Sequence, residues 1–160
     1  MRITIACVGK ARGGPESDLF ETYIRRLPWQ VQVKEVEAGR GLSVERRCER
    51  EGELLLAAVP AGAKLVALDE DGRQPSSGEF AEMLKKWQES GHREVAFLIG
   101  GADGHGPAIH QQADVKLAFG RLTWPHLMVR PMLAEQLYRA HTILTGHPYH
   151  RRRLNSSHPH

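Results

Sequence analysis

Cysteine is nearly absent: Cys7 and Cys48 are the only two in 160 residues. Two thiols so far apart make neither a disulfide framework nor a metal-ligand spacing, so they read as buried thiols in a reducing, cytoplasmic setting. Long apolar runs are missing too. None approaches the roughly 20 residues that span a bilayer, which argues against a membrane-spanning helix. The first eight residues are too short for a signal peptide and lack a small-residue cleavage site, so they read as a strand. Charge of one sign is also lacking. A net charge of +3 and a pI of about 9.1 permit an anionic partner without requiring one. There are no internal repeats, low-complexity tracts or linker-like stretches, and the length suits one domain with a substantial core.

Two nucleotide-binding signatures are absent as well. Gly9-Lys10-Ala11-Arg12-Gly13-Gly14 lacks the order of a phosphate loop. Gly100-Gly101-x-x-Gly104 is not a dinucleotide fingerprint, and no acidic residue follows at the required distance. Nine histidines are present, but no cysteine or acidic ligand stands at zinc spacing, so no metal is expected.

What is present alternates in type. Residues 2–8 alternate and then run apolar, as a buried first strand does. Pro15 can open a helix at its first position, and Leu19, Phe20, Tyr23, Ile24 and Leu27 form its apolar stripe up to Pro28. Residues 31–36 alternate strictly, as a half-exposed strand. Ser43 caps a helix to about Ala58, with Val44, Cys48, Leu55 and Val59 inward, and with arginines and glutamates, Arg47 and Glu51 among them, on a salt-bridged surface. Residues 64–68 are a short strand ending in an Asp69–Gly72 turn. Ser76 or Ser77 caps the next helix, and residues 95–99 form the most apolar strand. Pro107 opens a short helix, residues 115–119 form the last strand, and an amphipathic helix carries Leu133, Leu137, Tyr138, His141 and Leu144. The order β-α-β-α-β-α-β-α-β-α predicts an α/β fold, a mostly parallel sheet with helices on both faces.

Three of these strands end in glycine-rich or turn segments, at Leu68, at Gly100-Gly101 and at Gly120. Parallel neighbours would bring those ends to one edge, where ligands of α/β sheets bind and where glycine lets main-chain groups come close. Leu68, Leu122 and Trp124 would floor a pocket for a flat ring, which suggests a small cofactor with a purine. The chain then ends in an aromatic, basic tail, His147-Pro148-Tyr149-His150-Arg151.

Taken together, these pieces resemble the RlmH family of SPOUT methyltransferases, nearly end to end. The matching residues are 8–10, VGK; 23–28, YIRRLP; Leu68-Asp69; 97–104, FLIGGADG; 122–130, LTWPHLMVR; 134–140, AEQLYRA; and 147–151, HPYHR. The last four, in this order and spacing, are the specific ones. The resemblance implies a single SPOUT domain over residues 1–151 with a C-terminal trefoil knot, and a mobile basic tail over 152–160. It implies a cytoplasmic homodimer whose interface uses the C-terminal helix. It implies S-adenosylmethionine held largely by backbone at Leu68, Gly100, Gly101, Phe119, Gly120, Arg121, Leu122, Thr123, Trp124 and Pro125. The implied reaction is methylation of N3 of a pseudouridine in 23S rRNA on the assembled ribosome. Two positions depart from the family pattern. Ala102-Asp103 stands where Pro-Glu is usual. Pro131 replaces an aliphatic residue, so the last helix is expected to begin or kink there, with Arg130 pushed toward an extended conformation.

The chemistry implied by the resemblance asks for positioning of methyl and nucleophile and for handling one imide proton. Tyr149, His150 and Arg139 are the catalytic candidates. His150 could take the proton, Tyr149 could orient the flipped base, and Arg139 could stabilise the anion. Arg130, His147 and Arg151 are the substrate-binding candidates. Each has a plainer alternative: Arg139 could pair with Glu135 at i, i+4, Tyr149 could be a core or interface aromatic, and His147 could cap the helix end.

Overall fold

The computed structural model describes residues 1–151; the expected tail over 152–160 lies outside the described residues. Five strands alternate with five helices: β1 (Arg2–Val8), α1 (Pro15–Arg26), β2 (Gln30–Val36), α2 (Val44–Ala58), β3 (Lys64–Arg73), α3 (Ser77–Glu89), β4 (Glu94–Ile99), α4 (Pro107–Gln112), β5 (Val115–Leu117) and α5 (His126–Thr145). The sheet order is β2-β1-β4-β3-β5, and every pairing is parallel.

Period-two side-chain alternation divides the core in two. Ile3, Ile5 and Cys7 of β1 and Val95, Phe97 and Ile99 of β4 face one way, into a cluster closed by Phe20 of α1, Phe80 and Leu84 of α3, and Leu133, Leu137 and Ala140 of α5. Ala6, Val8, Ala67 and Leu98 face the other way and meet Leu55 of α2 and Ile109 of α4. Both central strands are therefore apolar on both faces, as the continuous runs 3–8 and 95–99 predict. Burial also pushes the Cys7 thiol up to about 11, as befits an inert core thiol.

Local signals set most of the helix ends. Ser43 and Ser76 accept hydrogen bonds from the N–H groups of Arg46 and Glu79, three residues on, and Pro15 and Pro107 open α1 and α4. Two expectations are corrected. On α2, Val44 is exposed, while Glu51 and Gly52 turn inward. Gly52 leaves room for the Ile109 side chain, 3.5 Å from where a β-carbon would stand. On α5, the helix does not begin at Pro131 but runs from His126 through it. Pro125 starts it, its carbonyl accepting from the N–H groups of Met128 and Val129. Arg130 is therefore helical rather than extended. Two side-chain hydrogen bonds hold it in place, to Glu35 at 2.7 Å and to the Gly9 carbonyl at 2.9 Å, and burial of the Pro131 turn against the core offsets the interior proline.

One crossing positions the site. β3 continues past Leu68, but its register against β5 shifts between Leu68 and Arg73. The Ala118 N–H donates to the Arg73 carbonyl at 2.8 Å. Gly72 lies so close to the outgoing chain that a β-carbon there would stand 2.7 Å from the Leu117 nitrogen.

Candidate active site

At the C-terminal ends of β3, β4 and β5 lies a cavity of about 710 Å³. Leu68, Gly100, Gly101, Phe119, Gly120 and residues 122–125 all line it; Arg121 does not. The glycines have separate reasons to be glycine. A β-carbon on Gly100 would stand 3.2 Å from the Gly104 carbonyl carbon and from the His105 ring. On Gly101 it would meet Val8 at 3.2 Å and the Glu51 carboxylate at 3.3 Å. Gly120 has a φ of 107°, a conformation that side chains disfavour.

Two hydrogen bonds tie the 119–125 segment down. The Trp124 indole N–H donates to the Phe119 carbonyl at 3.3 Å, folding the segment on itself. The Thr123 hydroxyl donates to Glu70 at 2.8 Å and joins it to the tail of β3. Leu122 is 73% exposed, so it belongs to the rim rather than the floor expected of it.

The cavity wall is acidic along β3, where Asp69, Glu70 and Asp71 line it. Asp69 accepts from the Asp71 N–H at 2.9 Å and faces His110 at 3.6 Å. His105 bonds to the Leu98 carbonyl at 3.1 Å. Burial holds its imidazole below the usual histidine range, so at neutral pH it is an uncharged wall residue. A carboxylate-lined cleft with a close-approaching glycine backbone suits a ligand with cationic groups and a flat ring.

A second cluster forms where α5 meets the tail. Arg139 donates from Nε at 3.0 Å and from Nη2 at 2.5 Å to one oxygen of Glu135. The Tyr149 hydroxyl donates to that same oxygen at 3.0 Å. The Arg139 guanidinium lies 4.9 Å from the Tyr149 ring centre, and the ring meets Tyr138 edge-on at 4.7 Å. Burial, with hydrogen bonds to Tyr23 and Glu135, pushes the Tyr149 phenol well above its usual range, so it stays neutral. The Glu135 hydrogen bonds hold Arg139 firmly cationic.

Arg139 Nη1 donates to His150 Nδ1 at 3.2 Å. A guanidinium can only donate. The imidazole therefore keeps Nδ1 as acceptor, and its own proton sits on Nε2. In this arrangement His150 presents a donor at Nε2.

The structure thus brings Arg139, Tyr149 and His150 together, and it realises the Glu135 pairing as well. The three substrate-binding candidates are dispersed. His147 closes the helix end: its N–H donates to the Thr142 carbonyl, and its Nδ1 accepts from the Tyr149 N–H at 3.2 Å. Arg151 is exposed. Arg130 is 5% exposed, engaged with Glu35 and Gly9, and borders a separate cavity of about 240 Å³ beside Arg12. None of Arg139, Tyr149 and His150 lines the 710 Å³ cavity. Glu135 instead borders a second, mostly apolar cavity of about 890 Å³, which shares residues 117–120 with the first. Sequence reasoning missed Glu51, His105 and His110 because nothing in their spacing marks them. Only the turn 69–72, placed at a strand end, pointed toward the acidic wall.

Against known proteins, residues 1–150 match a family model described as "Predicted SPOUT methyltransferase". A protein named ribosomal RNA large subunit methyltransferase H from Paramagnetospirillum magneticum is 60% identical over 151 residues, covering 94% of this chain and 99% of the relative. The protein of the same name from Rhodospirillum centenum is 54% identical with the same coverage. Among solved structures, a protein described as a probable methylase family protein from Haemophilus influenzae Rd KW20 superposes with a TM-score of 0.56. It is 12% identical and covers 96% of this chain and 72% of its own, a likeness of fold alone.

Proposed function

The chain belongs to the SPOUT methyltransferase family, and from that premise we propose that it transfers a methyl group from S-adenosylmethionine to N3 of a pseudouridine in 23S rRNA of the assembled ribosome. It is a ribosomal RNA methyltransferase by the name its relatives carry over nearly their whole length. The observation that carries the cofactor is the glycine-walled, acidic cavity at the ends of three parallel strands. When bound there, S-adenosylmethionine supplies a methyl already activated on a cationic sulfur.

This chain's residues do the rest. The backbone at Gly100, Gly101 and residues 119–125 orients the donor, and Asp69, Glu70 and Asp71 complement its positive charge. Arg139, turning from His150 to the base, stabilises the negative charge that grows there, and the freed His150 Nδ1 accepts the departing N3–H proton. Tyr149, neutral and braced by Glu135, packs against and orients the base. The exposed Arg151 contacts RNA phosphate, and such contacts weaken steeply with salt. The trefoil knot belongs to the same reading, and the Gly72–Leu117 crossing supports it. So does a cytoplasmic homodimer. The catalytic cluster does not line the donor cavity of its own chain, so a second copy that brings its C-terminal helix and tail to the cavity completes the site.

The test is transfer of labelled methyl from S-adenosylmethionine to ribosomes from a strain lacking the modification, with the labelled nucleotide then mapped. Label on N3 of a pseudouridine in 23S rRNA is expected. Label on another RNA overturns the substrate and leaves the donor. No label and no donor binding overturn the reading altogether.

A further inference from the structure

Helix α2 touches the 100–104 loop but contributes no residue to the cavity wall. Its contacts are specific. The Arg47 guanidinium pairs with the Asp103 carboxylate, 56 positions away. One turn on, Glu51 is only 7% exposed, although it is a carboxylate on a helix that sequence reads as a charged surface. Its ion-pair partner among the described residues is Arg47, whose Nε stands 3.9 Å away. Its other neighbour is the loop itself, with a carboxylate oxygen 3.3 Å from where a β-carbon on Gly101 would stand. Burial pushes this carboxyl above the usual range, as it does for a charge with little solvent. Cys48, between the two, directs its thiol at the carbonyls of Asp103 and Gly104, each at 3.9 Å.

The loop has little of its own to hold it. It closes with a single bridge, the Gly104 N–H donating to the Gly101 carbonyl at 3.1 Å, and three of its five residues are glycine. We propose that Arg47, gripping Asp103 on one side and Glu51 on the other, is a positioning residue that holds the Gly100–Gly104 backbone in its donor-binding form from outside the cavity. This rests on the reading of that cavity as the S-adenosylmethionine site. Its physical basis is a population effect. A loop that visits other conformations binds with an affinity reduced by the fraction of time it is competent. A partly exposed ion pair adds little to global stability. Losing the Arg47–Asp103 pair should therefore register mainly in donor binding, and the unfolding cost comes from Glu51, left without its ion-pair partner.

The experiment compares wild type with Arg47→Met, Arg47→Lys and Arg50→Met. The last removes a more exposed pair on the same helix, Arg50–Glu53, that does not touch the loop. S-Adenosylmethionine binding is followed by calorimetry, and methyl transfer to undermethylated ribosomes by donor titration. Arg47→Met should raise the donor Kd and KM roughly fivefold, the scale of a surface ion pair. It should leave kcat at saturating donor close to wild type and, by stranding the Glu51 carboxylate, lower the ligand-free melting temperature modestly. Lys, still a cation within reach of Asp103, should recover most of the affinity, and Arg50→Met should match wild type. If Arg47→Met folds poorly, Arg47→Gln, which keeps a polar side chain without the charge, cuts the same ion pair from outside the cavity and must weaken binding likewise. Unchanged donor affinity in Arg47→Met, or equal weakening in Arg50→Met, overturns the clasp while wild-type binding upholds the site. Absence of binding in the wild type overturns the site and the clasp with it.

Discussion

Glu35 and Arg130 lie 95 positions apart and meet at 2.7 Å. Burial alone would raise the Glu35 carboxyl, but the hydrogen bond and charge of Arg130 and the Ala11 N–H outweigh it and hold the group below its ordinary value of 4.5. A depressed folded value means that the pair contributes in full above about pH 4.5, and that the contribution is lost as pH falls below it. The difference in urea-unfolding free energy between wild type and Glu35→Gln should therefore be constant from pH 7 down to about 5 and shrink below 4.5. A difference that grew on acidification would refute the pairing. Arg130→Met, which leaves Glu35 without its cation, should cost about 1 kcal/mol at pH 7. That is less than for a fully buried pair, because Glu35 keeps some solvent. Nothing in the sequence foretold this partnership. Arg130 sits in a basic, motif-rich stretch that reads as RNA-facing, and only the packing of α5 over the end of β1 turns it inward.

Among the elements, the strands were the most legible, because burial on both faces leaves an unbroken apolar signature in 3–8 and 95–99. Helix starts marked by Ser43, Ser76, Pro15 and Pro107 were legible for the same local reason. Helix α5 was not, because proline chemistry argues for a break at Pro131 and tertiary burial overrides it. The turn after Leu68 was half legible. Asp69-Glu70-Asp71-Gly72 reads as a turn, yet it continues as strand because Arg73 re-pairs with the far end of β5. Gly72 makes that re-pairing possible. Gly72→Ala should destabilise the protein by roughly 2 kcal/mol or more, since the new methyl would meet backbone that cannot swing aside. Gly39→Ala, with nothing within 4 Å, should be near neutral, and thermal unfolding of the two variants side by side decides it.

For the whole molecule, a cavity at three strand ends on one sheet edge was legible, and so was the grouping of the HPYHR tail with Arg139. Their separation was not, because a sequence carries no sign of which cavity a helix face borders. That separation leads to a mixing experiment. Gly101→Val, built to block the cavity, and Arg139→Ala, built to disable the cluster, should each be inactive alone. Under the proposed dimer, refolding them together in equal amounts should regain up to about a quarter of wild-type activity, because about half of the dimers are then mixed and each has one of its two composite sites intact. No recovery on mixing would place cavity and cluster in the same chain.

The pairing of β1 with β4 also bears on how this chain is born. Arg2 lies opposite Glu94, so the first strand leaves the ribosome 92 residues before the neighbour that completes it. At roughly 5–20 residues per second of synthesis, that is a wait of about 5–18 seconds. β2 arrives early but covers one edge only. Through that interval the apolar faces of residues 3–8 have neither β4 beside them nor α5 above them. The nascent chain is then a ready client for chaperones at the tunnel exit.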